Sequence, residues 1–590
     1  MEYQDLLIGM AGSGGDGVVT TGEILVNASA SVGLNAFMLK SFGPQIRGGE
    51  SSCQVRISAE QLYTHGDKVQ ILGIFNWNDF KRFRNEMNFA QPLVIVQEAD
   101  DKTPDDKLPI DDSVERIIYK VPLNELAKEK AGTSLAKNIV MLGVLAELFG
   151  LPEEGLRKAI TRQFKKKKQE VIDANLAGFK AGAEYVRDQI EKVDDVRFSY
   201  TPSKPKAAME GNETFAYGAL YAGCRFFAGY PITPSSEVME WMSRELPKYN
   251  GTMLQAEDEL AAIGMIIGAS FAGQKAMTST SGPGVSLMSE QIGLASIAEI
   301  PLVILNVQRG GPSTGIPTKT EQADLYQALY GTHGDVNKVV LAPADVQDCF
   351  DVAIEAFYAA EKFQLPVIVL SDQYVGQRTE TLDPEEMIGK RHHNGSARKI
   401  ERLLPTQEEL EDYKRFRVTE NGISPMTYPG IPKGMYQAAG IEHNEQGLPS
   451  SDVTMHQKLT EKRFRKNETI AKEMDFIRFY GPDEATVGVI AWGSTKGAVK
   501  EALEQLNGEG YKVKAAVPQI LYPLPKAKLT SFIESLGTVI IPELNYGGQF
   551  FHYLKSEMDF GSRNVKSYAR SGGSPLSVDE IYETIKEELD

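Results

Sequence analysis

Three loop segments, each directly after a short apolar run, most constrain what this chain can fold into. They are residues 230–236 (YPITPSS), 255–259 (QAEDE) and 308–318 (QRGGPSTGIPT). Glycine and proline fix the backbone of the first and third, and together the segments present hydroxyls, carboxylates and a guanidinium. Open α/β sheets place ligand sites where their strands end. We therefore expect the three segments to form one active site in a doubly wound α/β domain.

Alternating strand and helix patterns divide the 590-residue chain into several α/β domains. We predict an N-terminal domain over 1–193 and a linker with prolines and lysines over 194–210. The doubly wound domain is predicted over 211–372. An irregular, charged connecting segment follows over 373–476, which is too long for an ordinary loop. A final α/β domain is predicted over 477–590.

Bulk charge argues against two classes of partner. The formal net charge of −17 disfavours nucleic acid and anionic membranes, which need concentrated positive charge. The basic run 162–168 is the local exception, and we interpret it as a solvated helix face rather than a phosphate or partner site. The longest apolar stretch, 139–151, contains Glu147 and is shorter than the roughly 20 residues of a membrane span. With no signal-peptide pattern, we expect a cytoplasmic protein.

The three cysteines set a further bound. Cys53, Cys224 and Cys349 are far apart in the sequence and show no Cys-x-x-Cys spacing. Iron–sulfur clusters need several closely placed thiolates, so we expect neither a cluster nor another metal site in this chain. Each cysteine is expected to be a small buried apolar side chain.

A glycine-rich loop near the N-terminus is a candidate phosphate site. Gly12, Gly14 and Gly15 lie between a predicted strand and a predicted helix, where backbone N–H groups can approach an anion. Lys40 ends the next strand, where a dinucleotide site would have an acid, and Arg47 follows in a second glycine-rich loop. A cation there suits a ribose phosphate, which favours coenzyme A over NAD. A purely structural or inter-subunit role is the alternative.

The motifs YPITPSS and VQRGGPSTGIPTKTEQADL, in that order with an acidic helix between them, are specific in combination. The chain resembles the thiamine-diphosphate-dependent 2-oxoacid:ferredoxin oxidoreductases, in the form where a γ-type domain is fused ahead of the α part. The resemblance implies a γ-type domain and a pyrimidine-binding thiamine diphosphate domain. It implies a transketolase C-terminal-like domain without catalytic residues at the end, where YPLP (522–525) and ELNYGGQ (543–549) occur.

The resemblance also implies a role for a carboxylate. Thiamine enzymes hydrogen-bond N1′ of the aminopyrimidine with one glutamate, and we assign this role to Glu259 at the start of an apolar helix. A carboxylate in such a helix is costly unless something pairs with it. Glu257 is the competing candidate, and charge complementarity with the helix N-terminus is the structural alternative for both. Residues Tyr230, Pro231 and Ile232 are expected to contact the same cofactor.

Substrate contacts are predicted at Thr233, Arg309, Thr318 and His333. Flanking prolines restrict the backbone of Thr233, and Ser235 or Ser236 is expected to cap the following helix, which leaves the Thr233 hydroxyl free. Two glycines after Arg309 let its guanidinium enter a cleft and bind a carboxylate with two hydrogen bonds, a surface salt bridge being the alternative. By resemblance Thr233, Arg309 and Thr318 bind the 2-oxoacid. His333 either selects the distal group of the substrate or is structural.

The cofactor set is incomplete in this chain. Diphosphate and Mg²⁺ binding in thiamine enzymes uses Gly-Asp-Gly followed by Asn about 25 to 30 residues later, because hard oxygen ligands bridge metal and phosphate. The only Gly-Asp-Gly is 15–17, and 41–47 contains no Asn. The resemblance assigns the diphosphate, the Mg²⁺ and a [4Fe–4S] cluster to a β subunit in an (αβ)₂ heterotetramer.

The resemblance implies CoA-dependent oxidative decarboxylation of a 2-oxoacid with electrons passed to ferredoxin, a step that can also run toward CO₂ fixation. We favour 2-oxoglutarate, with succinyl-CoA as product. The alternatives are pyruvate or a broad set of 2-oxoacids, followed by branched or aryl oxoacids. From a different class, the chain could be a non-catalytic assembly or nucleotide-binding subunit. A transketolase-type enzyme without a redox partner is a third hypothesis.

Overall fold

A computed structural model describes residues 2–43, 49–389, 399–474 and 476–589. Arg47 therefore lies outside the described residues. The chain forms two compact units, Met1–Glu210 with Gln377–Gly389, and Gly211–Gly376 with Lys390–Asp590. Both units consist of sheets flanked by helices, so the predicted α/β class is confirmed.

The strands in the described residues are β1 (Glu2–Tyr3), β2 (Asp5–Ser13), β3 (Asn35–Phe42), β4 (Glu50–Ser58), β5 (Lys68–Ile74), β6 (Asn88–Glu98), β7 (Arg116–Val121), β8 (Arg197–Phe198), β9 (Ala207–Glu210), β10 (Phe226–Gly229), β11 (Thr252–Gln255), β12 (Ala276–Thr280), β13 (Leu302–Gln308), β14 (Val339–Leu341), β15 (Pro366–Asp372), β16 (Thr379–Leu382), β17 (Ile477–Tyr480), β18 (Val487–Ile490), β19 (Val513–Pro518), β20 (Ile520–Tyr522), β21 (Thr538–Glu543) and β22 (Asn564–Ala569).

The helices in the same residues are α1 (Val18–Ser31), α2 (Trp77–Phe80), α3 (Leu123–Ala131), α4 (Lys137–Phe149), α5 (Glu153–Gln163), α6 (Gln169–Gln189), α7 (Gly211–Tyr221), α8 (Ser236–Glu245), α9 (Glu259–Phe271), α10 (Gly282–Ile297), α11 (Leu325–Tyr330), α12 (Val346–Phe363), α13 (Gln373–Gln377), α14 (Pro384–Gly389), α15 (Val453–Glu473), α16 (Lys496–Gly508), α17 (Lys526–Ile533), α18 (Gln549–Glu557) and α19 (Val578–Lys586).

The first unit is built on an eight-stranded mixed sheet in the order β7-β6-β5-β2-β4-β3-β16-β9. Strand β2 pairs in parallel with β5 and antiparallel with β4. Its central seven residues are buried, as expected for a strand covered on both faces. The glycine loop after β2 leads into α1, whose N-cap Gly17 has φ 76°, a left-handed conformation that glycine adopts without steric cost.

The sheet edge corrects the predicted linker over 194–210. This segment contains β8 and β9, and β9 pairs antiparallel with β16, so both strands belong to the first unit. Strand β16 lies within the segment 373–476, which also contains α13, α14 and α15 and is therefore not irregular throughout. Sequence pattern missed β9 and β16 because each has only four residues and finds its partner far away in the chain. The other predicted domain boundaries stay predictions.

The second unit contains a seven-stranded sheet in the order β11-β10-β12-β13-β15-β14-β20. Its first six strands are parallel, and only β20 runs antiparallel to its neighbour. Strand β13 is buried along its whole length, consistent with a parallel sheet covered on both faces. A second sheet, β17-β19-β18-β21-β22, belongs to the C-terminal part. Because β20 comes from that part, the predicted C-terminal domain shares a sheet with the doubly wound domain.

The connecting segment is held to the second unit by buried charges. Lys462 and Lys466 on α15 donate to the two carboxylate oxygens of Glu299 at 2.5 and 2.6 Å. Arg415 donates to the Glu299 backbone carbonyl at 2.6 Å. All four side chains are almost fully buried. Breaking such a pair leaves uncompensated charge in the interior, so this cluster fixes the position of the segment.

Two further sequence predictions concern the cysteines and the membrane-spanning helices. The three cysteines are buried, as predicted. Across the described residues, no single helix is long and apolar enough to cross a membrane. The pair of α3 and Ser134–Phe149, which includes α4 and is bent by 119°, passes by length and composition alone. Helix α4 is part of the buried core of the first unit.

Candidate functional site

The ends of four parallel strands bring the three loop segments together. Gly229 at the end of β10 is in register with Gln255 at the end of β11. Thr280, which ends β12, is in register with Asn306 two residues before the end of β13. The carboxyl ends of parallel strands meet at one sheet edge, and the chain reverses its direction along the sheet around β10. The loops after β10, β11 and β13 therefore share the edge where such folds bind ligands.

Arg309 follows β13 and lies against the loop after β10. Its Nη1 donates a 2.6 Å hydrogen bond to the backbone carbonyl of Thr233. The side chain is only 8% exposed, and Nε has no hydrogen-bond partner among the described residues. Burial lowers the pKa of Arg309, and the charge of Asp324 opposes this effect. A buried guanidinium with a free donor can bind an anionic ligand, whereas the alternative of a surface salt bridge does not fit its burial.

Asp324 supports Arg309 and was not predicted from the sequence. It accepts a 3.0 Å hydrogen bond from Nδ2 of Asn306. Gln308 accepts from the backbone N–H of Asp324 at 3.0 Å and donates to the carbonyl of Ser371 at 3.0 Å. Burial raises the pKa of Asp324, while the Asn306 hydrogen bond and the charge of Arg309 lower it. Polar side chains inside β13 thus anchor an acidic group beside the guanidinium.

Glu259 and Glu257 differ sharply in environment. Glu259 is the first residue of α9 and is 6% exposed, whereas Glu257 is exposed. The capping role belongs to Asp258, whose Oδ1 accepts from the N–H of Ala261 at 2.7 Å. Within the described part of the chain, the Glu259 carboxylate has neither a hydrogen bond nor an ion pair. A buried carboxylate without a partner is costly, which is the property expected of a group that meets a cofactor.

Helix α10 packs closely against this carboxylate because of one glycine. A Cβ added at Gly284 would lie 2.7 Å from Oε1 of Glu259 and 2.0 Å from the hydroxyl oxygen of Thr280. Ser281, just before α10, donates to the carbonyl of Val307 at 2.8 Å and so fixes the helix against β13. Glycine at position 284 therefore sets how near Glu259 comes to the end of β12.

A cavity of about 580 Å³ opens beside Arg309. One wall is formed by Arg309, Asp324 and Gln327 of the doubly wound domain, and the other by Asn545, Tyr546 and Ser571 of the C-terminal part. No sequence motif assigned chemistry to these C-terminal residues. The available signal was the position of Asn545 and Tyr546 directly after β21, where polar residues follow a buried strand.

The other predicted contacts are not in the cavity wall. Thr318 is half-buried in a loop closed by hydrogen bonds between Gly310 and both Ile316 and Lys319. His333 lies in an exposed loop after α11. Among the predicted cofactor contacts, two are exposed and one is half-buried: Tyr230, Pro231 and Ile232.

The predicted serine cap of α8 is wrong. Ser235 is the N-cap residue, but it makes no side-chain capping bond, and its hydroxyl donates instead to the carbonyl of Ile232 at 3.1 Å. The N-cap residue has α-helical dihedral angles, whereas a capping side chain usually needs an extended backbone. The Thr233 hydroxyl has no hydrogen-bond partner among the described residues.

The N-terminal glycine loop binds an acid of its own chain. Oδ2 of Asp16 accepts from the N–H of Ser13 at 2.9 Å, and Oδ1 pairs with Lys137 at 2.7 Å. The N–H of Gly14 donates to the carbonyl of Gly49 at 2.7 Å. The loop thus satisfies these donors internally.

Lys40, the other described candidate for coenzyme A, forms an ion pair with Glu210. Gly15 has open space where a Cβ would lie. The pairing of Lys40 and of the loop donors gives no direct evidence for a phosphate site, so the coenzyme A contacts stay a prediction.

Comparison with known proteins agrees with this geometry. Residues 217–462 match the family described as "Pyruvate flavodoxin/ferredoxin oxidoreductase, thiamine diP-bdg". Residues 8–185 match "Pyruvate ferredoxin/flavodoxin oxidoreductase", and 485–581 match "Pyruvate:ferredoxin oxidoreductase core domain II". The three matches follow the order of the three predicted domains.

Two relatives and one solved structure illustrate the similarity. The chain is 30% identical to 2-oxoacid:ferredoxin oxidoreductase 2, subunit alpha, of Aeropyrum pernix, over 99% of this chain and 98% of that one. It is 40% identical to 2-oxoglutarate synthase subunit KorA of Archaeoglobus fulgidus, over 58% and 88% of the two chains.

A solved structure, 2-oxoglutarate:ferredoxin oxidoreductase from Magnetococcus marinus with 2-oxoglutarate, coenzyme A and succinyl-CoA bound, has 37% identity and a TM-score of 0.92 over the full length of both chains. The predicted γ-type, thiamine-binding and transketolase C-terminal-like organisation is therefore confirmed. The chain belongs to the family of 2-oxoacid:ferredoxin oxidoreductase alpha subunits, in the form that carries the γ-type domain at its N-terminus.

Proposed function

We propose that this chain is the alpha subunit of a thiamine-diphosphate-dependent 2-oxoglutarate:ferredoxin oxidoreductase, which converts 2-oxoglutarate and coenzyme A to succinyl-CoA and CO₂ and passes two electrons to ferredoxin. One observation carries the proposal. The partnerless, buried Glu259 carboxylate and the buried Arg309 guanidinium lie at the same edge of one parallel sheet. The first fits an aminopyrimidine, and the second fits a 2-oxoacid carboxylate.

The residues present fit thiamine diphosphate. When bound, the cofactor supplies the carbon nucleophile and the electron sink of the reaction. Glu259 would hydrogen-bond N1′ of the aminopyrimidine and exchange a proton with it, and the buried position of its carboxylate would strengthen that bond. Tyr230, Pro231 and Ile232, in the loop after β10, form the adjacent wall.

Arg309 and its neighbours orient the substrate. The guanidinium binds the 2-oxoacid carboxylate through its remaining N–H groups, while Nη1 stays on the Thr233 carbonyl. The hydroxyls of Thr233 and Thr318 bind the same end of the substrate. Holding a carboxylate in one orientation converts binding energy into a rate advantage because the reacting atoms are already in place. His333 is assigned to the distal group of the substrate.

A β subunit completes the enzyme. It carries the diphosphate and Mg²⁺ site and the [4Fe–4S] cluster, and two copies of each subunit form an (αβ)₂ heterotetramer in the cytoplasm. The only Gly-Asp-Gly of this chain, at 15–17, supports this division, because 41–47, at the spacing of the diphosphate motif, contains no Asn. Coenzyme A is assigned to the glycine loop with Gly12, Gly14 and Gly15, and to Lys40 and Arg47.

The choice of 2-oxoglutarate is supported by the relatives. The Magnetococcus marinus protein carries 2-oxoglutarate and succinyl-CoA, and the KorA relatives are named 2-oxoglutarate synthase subunits. The Aeropyrum pernix relative is named for 2-oxoacids in general, which favours a broad-specificity enzyme, with pyruvate among its substrates, as the second candidate.

The test is viologen dye reduction by this chain co-expressed anaerobically with its β partner, with coenzyme A and one 2-oxoacid. We expect activity with 2-oxoglutarate. Activity with pyruvate alone would replace the substrate and retain the reaction. If no 2-oxoacid supports dye reduction, a non-catalytic assembly subunit is favoured. Turnover without any electron acceptor would support a transketolase-type enzyme.

A pair of variants tests the role of the carboxylate in the same assay. Glu259→Gln removes the charge from the buried group, and we expect near-complete loss of activity with assembly intact. Glu257→Gln changes a neighbouring, exposed carboxylate and should retain activity. Full activity of Glu259→Gln would contradict the assignment.

A further inference from the structure

Tyr546 is a large aromatic side chain whose exposure to solvent is not explained by packing within the described residues. Its side chain is 89% exposed, the highest value among the exposed tyrosines of the described residues. It packs in no ring pair and its hydroxyl has no hydrogen-bond partner there. Yet it lies in the wall of the cavity that also contains the buried Arg309.

The loop that carries Tyr546 is firmly held, although the ring is not. Nδ2 of Asn545 donates to the carbonyl of Gln322 at 3.1 Å. Nε2 of Gln549 donates to the carbonyl of Ala323 at 2.8 Å, and its Oε1 accepts from the N–H of Tyr326 at 2.9 Å. Both sides of the Tyr546 backbone are thus attached to the segment 322–326, which follows the Arg309 loop. A ring with only two side-chain torsions on an anchored loop loses little entropy when it binds a ligand.

The cavity between the two walls has room for a whole 2-oxoacid. Its 580 Å³ exceed what a carboxylate alone needs, so a substrate held at Arg309 extends toward the other wall. That wall offers hydroxyl donors from Tyr546 and Ser571, and Ser571 is also exposed. On the first wall, Asp324 is an acid and Oε1 of Gln327 is a buried acceptor. Glu321 also lines the cavity, and its Oε1 accepts from the N–H of Gly572 at 3.2 Å. A second carboxylate of the substrate is therefore repelled by Asp324 and Glu321 and finds an uncharged donor in the Tyr546 hydroxyl.

We propose that Tyr546 is a specificity-determining residue, whose hydroxyl donates a hydrogen bond to the distal carboxylate of a dicarboxylic 2-oxoacid held at Arg309. The inference rests on the proposed function and deepens it, because it gives the C-terminal domain a part in substrate selection. The phenol donates to an anion without adding a charge to the cavity. Such a hydrogen bond discriminates against a monocarboxylic 2-oxoacid that ends in a methyl group.

The experiment compares Tyr546→Phe with the wild-type complex, using 2-oxoglutarate and 2-oxobutyrate in the viologen assay. We expect KM for 2-oxoglutarate to rise about tenfold or more, since a hydrogen bond to a charged group is removed. KM for 2-oxobutyrate and both kcat values should stay unchanged. Tyr330→Phe is the matched control, because Tyr330 is 60% exposed on the same unit and lies outside the cavity wall.

Three outcomes would overturn the proposal. Unchanged KM values would show that the hydroxyl does not meet the substrate. Equal increases for both substrates would show a general effect on the cavity. Loss of the β partner on size-exclusion chromatography would assign the ring to the subunit interface. The wild-type complex alone tests the proposed function: if it turns over no 2-oxoacid, both proposals fail, whereas wild-type activity with a neutral Tyr546→Phe overturns only this one.

Discussion

Nη1 of Arg309 donates a 2.6 Å hydrogen bond to the backbone carbonyl of Thr233, although 76 positions separate the two residues in the sequence. The bond joins the loop after β13 to the loop after β10 across β12, which lies between them in the sheet. Because the acceptor is a backbone atom, the threonine hydroxyl remains available for a ligand. The Arg309 guanidinium therefore also helps to position the Thr233 hydroxyl.

Arg309→Lys should separate charge from geometry. A lysine keeps the positive charge but cannot bind the Thr233 carbonyl and a carboxylate with one planar group. We expect kcat/KM for the 2-oxoacid to fall about 10- to 100-fold, the effect of losing a charge-assisted hydrogen bond. Steady-state dye reduction measures it. Arg244→Lys, at an exposed salt bridge of α8, is the control and should retain activity. Wild-type kinetics for Arg309→Lys would count against the assigned role.

Gly284→Ala should disable the site without a change in any reacting group. The added Cβ would lie 2.7 Å from Oε1 of Glu259, so the carboxylate or α10 must move. A misplacement of about 1 Å can cost about 100-fold in rate. We expect a loss of that order in dye reduction and weaker thiamine diphosphate binding by titration. Gly508→Ala, with no atom within 4 Å of the new Cβ, should behave as wild type.

The strand ends explain what the sequence could predict. Arg309 and Thr233 each follow an apolar run that forms a buried strand, so their placement at one edge follows from parallel pairing alone. Glu259 could be preferred over Glu257, but only the structure shows that one is buried and the other exposed. The local sequence pattern predicts where a strand lies and where it ends. The burial of a side chain depends on which helix packs over that side chain.

Other features needed contacts between distant segments. Asp324 lies 15 positions after Arg309, in a stretch where no periodicity marks it, and only its hydrogen bond from Asn306 reveals its role. Strands β9 and β16 are too short to show alternation, and each is stabilised by the other. The serine cap failed for a similar reason, because the dihedral angles of Ser235 are set by the turn before it.

Glu299→Gln should loosen the connecting segment. The substitution leaves Lys462 and Lys466 buried without a counter-charge, at a cost of about 3 to 5 kcal/mol. We expect faster hydrogen exchange of the α15 amides and a lower midpoint of urea unfolding. Glu461→Gln, on the exposed face of the same helix, is the control. Equal exchange in both variants would show that the buried charges do not hold α15.

The same cluster predicts acid sensitivity. Burial alone would raise the pKa of Glu299, but Lys462, Lys466 and Arg415 outweigh it and hold the pKa well below the usual range. A carboxylate with a lowered pKa contributes stability above its unfolded-state pKa, about 4.3, and loses it as the pH falls further. The difference in urea midpoint between wild type and Glu299→Gln should be full at pH 7 and smaller at pH 3.5. A difference independent of pH would exclude this linkage.

Gly15→Ala tests whether coenzyme A meets the N-terminal loop. A Cβ at this position meets no atom within 4 Å, so we expect the substitution to leave the fold intact. The added methyl group would then affect only a ligand bound at the loop. If the coenzyme lies on the loop, its KM should rise about tenfold while KM for the 2-oxoacid stays constant. Gly508→Ala again serves as the control. An unchanged KM for coenzyme A would make the loop a structural turn held by Asp16.

Strand β20 has a consequence for how this protein can be divided. It covers the open edge of the seven-stranded sheet, where Tyr522 and Ile520 pair with Val340 and Leu341 of β14. A fragment that ends before β20 would expose the backbone of β14, a short apolar strand ready to pair with another molecule. The thiamine-binding domain and the C-terminal domain thus complete one sheet together, and two fragments divided between them would have to restore this edge by reassociation.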